Sequence, residues 1–166
     1  MPLAAGDAAP NFDLTSTEDV VLMLADEVVR TAIVLYVCPT AEGEPVRSEL
    51  VALAAASPAL AAASARVLIL SPAPLEQLKA VQRELELPFP LLHDDRNFAA
   101  RYGVADAAAP PVLLLVDRRQ RVAWTAAGGS LEESLPALAT ALAALPSPTA
   151  SLPRKVVNRL IDQWVN

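Results

Sequence analysis

Cys38 and His93 are the sole thiol and the sole imidazole of this chain, so they are the first places to look for covalent or acid–base chemistry. Cys38 stands in YVCPTAEGEPVRSEL (36–50), just after a strongly apolar run and just before a helix start. A thiol becomes a nucleophile when a helix N-terminus or a cation lowers its pKa. Cys38 lies ahead of the helix and has no basic residue beside it in sequence, which predicts a buried or unreactive sulfur. The competing readings are a displaced reactive cysteine in an active-site loop and a thiol that pairs between molecules. His93 precedes Asp94 and Asp95, a general base with an orienting carboxylate on paper. Successive residues of an extended strand point to opposite faces, so His93 and Asp94 are not expected to meet. Glu44 suits the positive end of the coming helix, and Arg47 suits an anion or a partner carboxylate. Tyr36 is expected to pack rather than donate a proton, and Ser71 either lines a pocket or makes a Ser-Pro turn. One histidine and one cysteine predict no metal site and no internal disulfide, and no cofactor is expected.

These residues must be positioned by the elements around them. TAIVLYV (31–37) and ARVLIL (65–70) are continuously apolar, the habit of central parallel strands buried on both faces. NFDL and VVLML (20–24) predict an N-terminal hairpin. Pro45 suits the first position of a helix whose apolar face carries Val46, Leu50 and Leu53. Ser57-Pro58 is expected to interrupt that helix, with a second piece running to about Ala63. Residues 74–87 place Leu75, Leu78, Val81 and Leu85 on one stripe. FPLLH (89–93) reads as a strand, Asp95 as the cap of a helix over NFAARY, and Gly103 as its stop. PVLLLV (111–116) and RVAW (121–124) predict a hairpin. SLEESLPALATALAAL (130–145) predicts a helix with Ser130 and Glu133 as a capping box.

The resulting order is β-β-β-α-β-α-β-α-β-β-α, which predicts an α/β fold with a central mixed sheet covered by helices on both faces. Sites in such sheets lie at the carboxyl ends of parallel strands, here where TAIVLYV meets CPTAEGE, beside SPAP and AAPP. The predicted organisation is one domain over 1–146, a Pro/Ser linker over 147–153, and an amphipathic helix over 154–166. That last helix carries Val156, Val157, Leu160, Ile161 and Trp164 on one stripe, with Arg154, Lys155 and Arg159 as its cations. It is expected to dock on its own domain, to exchange with a partner subunit, or to lie on a membrane surface.

A net charge of −6 with scattered cations argues against nucleic acid, whose affinity rests on Lys and Arg. No apolar stretch approaches the roughly 20 residues of a membrane span, and no signal peptide is expected at the N-terminus. A lone cysteine fits a reducing cytoplasm.

Five strings in this order resemble the peroxiredoxins, the alkyl hydroperoxide reductase/thiol-specific antioxidant branch of the thioredoxin superfamily. They are GDAAPNFDL (6–14), AIVLYV (32–37), EPVRSEL (44–50), LPFPLLHDDRNFAARYGV (87–104) and PVLLLVDRRQRVAW (111–124). The resemblance covers about residues 3–146 and implies a thioredoxin-like fold, to which the last helix is an addition. It also implies antioxidant oxidoreductase chemistry from a cysteine thiolate in the first turn of the active-site helix, with a threonine or serine three residues earlier and an arginine nearby. Matching Glu49-Leu50 to the family puts Val46 at the cysteine, Gly43 at the threonine and Pro111 at the arginine. One deletion would shift the first two to Arg47 and Glu44. Neither register supplies a nucleophile. Pro110-Pro111 also resembles the thioredoxin cis-proline segment, which holds extended chains. The sequence therefore predicts a non-catalytic binding or scaffold protein whose face comprises Thr40, Glu44, Arg47, Pro110 and Pro111. Its expected occupant is a protein partner, or a second copy bound through this face or the last helix. The alternative is a single-cysteine thiol oxidoreductase using Cys38.

Overall fold

A computed structural model describes residues 3–41, 43–127 and 131–145. The N-terminal hairpin is present: β1 (Asp13–Thr15) pairs antiparallel with β2 (Val21–Met23), Leu14 opposite Leu22. The main sheet comprises β3 (Ala32–Val37), β4 (Ala65–Ser71), β5 (Leu91–His93), β6 (Val112–Val116) and β7 (Val122–Ala127), in the order β5-β4-β3-β6-β7. β3, β4 and β5 run parallel, while β6 and β7 form the antiparallel closing hairpin. Every residue of β3 and β6 is buried, as continuous apolar runs demand of central strands.

Alternation along β3 divides the core. Val34, Tyr36 and Cys38 face a layer built by α2 (Val46–Ala62), α3 (Leu75–Glu84) and α5 (Leu131–Ala143). Ile33, Leu35 and Val37 face the opposite layer, built by Phe12, α1 (Leu24–Arg30) and α4 (Phe98–Arg101). The predicted α/β architecture, a mixed sheet with helices on both faces, is therefore the one observed.

Four local expectations are corrected. Helix α1 is missing from the predicted order: residue 24 was assigned to a strand but opens this helix instead. Its first turn is held by Asn11, whose Oδ1 accepts the Ala25 N–H at 2.9 Å, a bond across 14 residues. Pro58 does not interrupt α2, which runs unbroken past it, with the proline ring on an exposed position. Pro45 is the residue before α2 rather than its first helical residue. Asp94, not Asp95, caps α4: its buried carboxylate accepts the N–H groups of Phe98 at 2.9 Å and Ala99 at 2.7 Å, while Asp95 is exposed. Gly103 does close α4, with φ +98°, a conformation glycine adopts without strain. Ser130, the linker and the helix over 154–166 lie outside the described residues. Among the described residues, no helix is long and apolar enough to cross a membrane.

Candidate functional site

The carboxyl ends of β3 and β4 meet the entrance of α2 where the topology predicts a site. Pairing of Val37 with Val112 brings the Pro110-Pro111 approach to β6 alongside Cys38. The Cys38 N–H donates to the Leu70 carbonyl at 3.0 Å, which fixes the residue against β4. Its sulfur points into the core: Cys38 is 0 % exposed, with Sγ 3.9 Å from the Leu70 carbonyl oxygen. Burial pushes the thiol up to about 12, partly offset by a hydrogen bond with Ser71, and the Glu49 charge adds a smaller upward push. Ser71 is itself buried and accepts the Ala73 N–H at 3.2 Å.

Helix α2 begins with Val46, a buried side chain at the position where a helix dipole would act on a thiolate. Gly43 precedes it with φ +82°, in the left-handed region that glycine tolerates, and its carbonyl accepts the Arg47 N–H at 3.1 Å. Glu44 is exposed and turns back on the helix, accepting the Ser48 N–H at 3.3 Å. Arg47 reaches across to α3, its guanidinium 2.9 Å from the Glu84 carboxylate. Glu44, Arg47, Ser48, Val51 and Leu85 line an open depression of about 280 Å³. Thr40 is half-buried in the loop between β3 and α2. Pro110 is exposed and Pro111 half-buried. The cis peptide among the described residues is Glu44–Pro45, so the bond between Pro110 and Pro111 is trans and the cis-proline comparison does not carry over.

The candidate residues thus fall into separate groups. Glu44 and Arg47 share the depression on α2, Pro111 lines a second cavity, and Cys38 lines neither. That second cavity has a volume of about 20 Å³ and is walled by Tyr36, Glu49, Pro111, Leu113 and Ser134 among others. It has room for about one water molecule. Its polar centre is Tyr36, whose hydroxyl donates to Glu49 Oε2 at 2.6 Å. Tyr36 therefore both packs and donates. Burial raises its pKa, and the Glu49 hydrogen bond adds to that. Glu49 escaped the sequence reading as a site residue. The available signal was its spacing: three residues after Val46, it shares the inward side of α2. Tyr36→Phe should cost ~1–2 kcal/mol by leaving the Glu49 carboxylate without its donor. Denaturant midpoints of Tyr36→Phe, Glu49→Leu and the double variant check this, and the double should cost less than the sum.

His93 and Asp94 diverge as the strand geometry predicts. His93 Nδ1 lies 2.8 Å from the Ala73 carbonyl oxygen, while Asp94 turns to α4. They form no dyad.

Comparison with known proteins places this arrangement. None of the curated protein sequences matches this chain. Among solved structures, the fold is similar to the peroxidoxin BcpB from Mycobacterium tuberculosis, with TM-score 0.79 and 18% identity over 87% of this chain and 99% of that one. It is similar to the yeast mitochondrial 1-Cys peroxiredoxin, with TM-score 0.69 and 18% identity over 82% of this chain and 75% of that one. An uncharacterized conserved protein from Geobacillus kaustophilus gives TM-score 0.67 and 24% identity over 86% of this chain and 84% of that one. The model of the AhpC/TSA family matches residues 5–125, from ahead of the first hairpin into β7. With this match over more than half of its length and a thioredoxin-like sheet, the chain belongs to the AhpC/TSA family.

Proposed function

We propose that this chain is a peroxiredoxin-like protein without peroxidatic chemistry, working as a non-catalytic binding or scaffold protein. The observation that carries the reading is the entrance of α2. A buried Val46 occupies its first turn, with Gly43 three residues before it and Pro111 across the sheet end. Valine, glycine and proline side chains hold no atom that can attack an oxygen–oxygen bond, orient a peroxide or stabilise a thiolate. The cavity that Tyr36, Glu49 and Pro111 wall has room for about one water molecule. The binding face in this reading comprises Thr40, Glu44, Arg47 and the Pro110-Pro111 approach. Its occupant is a protein partner or a second copy, and a single buried thiol suits a reducing cytoplasm.

The alternative, a thiol peroxidase working through Cys38, requires the sulfur to reach peroxide, pass through a sulfenic acid and be reduced by an external thiol. Full burial and a raised pKa weigh against each step. The test is hydrogen peroxide consumption with an external thiol, comparing the natural chain with Cys38→Ser. Both should stay at the rate of buffer and thiol alone. Turnover in the natural chain that disappears in Cys38→Ser would establish the peroxidase reading instead.

A further inference from the structure

The face of α2 that looks away from the core is unusual for a solvent-facing helix. Val51, Ala55, Pro58 and Ala62 recur at spacings of four, three and four, and all are exposed, Val51 at 49 %. The chain carries no charged residue from Leu50 through Ala65. An amphipathic helix normally turns charge to water on this side. At its N-terminal end the stripe opens into the depression of about 280 Å³ that Val51 and Leu85 floor and Glu44 and Arg47 border.

The chain itself supplies an occupant of matching shape. Helices α2 and α5 both begin at the carboxyl end of β3, where Glu49 and Ser134 wall one cavity, and both pack on the same sheet face. Both run back along that face and so end at the same edge of the sheet, where Leu145 packs against the cluster that holds Leu60. Eight residues separate Leu145 from Arg154. Fully extended, they span up to ~26 Å. Helix α2 is about 25 Å long, so the segment over 154–166 can reach any point of the stripe. As a helix it would be ~20 Å long and marginal in isolation. Its Val156, Val157, Leu160, Ile161 and Trp164 need an apolar seat, and the small side chains at 55 and 62 allow two helix axes to approach closely. Three cations against one carboxylate give this segment a charge of +2, opposite to the −8 that the rest of the chain carries out of a net −6.

We propose that residues 154–166 dock in cis as a helix along the outer face of α2, covering Val51, Ala55, Pro58 and Ala62. This does not depend on the absence of peroxide chemistry and is tested separately from it. In the full chain carrying Trp124→Phe, Trp164 is the remaining tryptophan. Its emission should be blue-shifted, and its quenching by acrylamide several-fold weaker than in denaturant. Both should stay constant over a hundredfold range of protein concentration. Val51→Lys and Ala55→Lys, each at an exposed position, should return Trp164 to the quenching of the unfolded chain while leaving the far-ultraviolet circular dichroism unchanged. Hydrogen exchange on the unsubstituted chain gives the same answer without touching Trp124: amides of 154–166 should exchange at least about tenfold more slowly than in either lysine variant. Four results overturn the proposal: a Trp164 as accessible as in denaturant, protection that grows with concentration and so reports a second copy, protection that needs anionic vesicles, or protection that survives both lysine substitutions.

Discussion

In the native chain, Cys38 is expected to react with an aromatic disulfide reagent about a thousandfold more slowly than in the unfolded chain at neutral pH. The thiolate is the reacting species, and burial lifts the thiol from an ordinary value of 9.0 to about 12, so the reactive fraction falls by about three powers of ten. Access works in the same direction, because Cys38 is 0 % exposed behind the β3–β4 pairing. Stopped-flow absorbance with and without guanidinium measures the ratio. A native rate within about tenfold of the unfolded one would mean an open, activated sulfur and would reverse the proposed silence of the site.

The second large effect is a loss of stability in alkali that is specific to this thiol. Its folded-state pKa is raised above the unfolded value, so the fold favours the protonated form. The contribution is fully present below pH 9.0. It is lost as pH rises from there towards 12, where the unfolded chain releases a proton that the folded chain retains. By about pH 10.5 the natural chain should have lost ~2 kcal/mol that Cys38→Ala keeps, each measured against its own stability at neutral pH. Burial also raises Tyr36 and Tyr102, so a residual alkaline loss common to both chains is expected. Urea titrations from neutral pH upwards separate the two parts. Parallel curves for the two chains would show that Cys38 ionises as freely in the fold as outside it.

What the sequence conveyed and what it withheld divides by distance along the chain. Unbroken apolar runs made β3, β4 and β6 legible as buried strands, and the inversion of β6 and β7 followed from the short DRRQ turn between them. The place of Cys38, past the strand and ahead of the helix, was equally readable. Helix α1 was not, because its seven residues bury two side chains and its first turn is satisfied by Asn11 from outside the segment. Pro58 misled because an isolated breaker signal yields when both flanks of a helix are anchored, here by Leu50 and Leu53 before it and Leu60 after it. The two neighbouring aspartates could not be ranked as caps until the left-handed turn at Asn97 (φ +61°) set Asp94 facing the N–H groups of α4. Within the site, the bond from Tyr36 to Glu49 joins residues 13 apart on a strand and a helix, and only their packing brings them together.

That tyrosine–carboxylate tie carries a lesson for engineering. A designer placing a sulfur at Val46 would have to reckon with it, since Tyr36, Glu49 and Pro111 wall a cavity of only about 20 Å³ at this end of the sheet, room for about one water molecule.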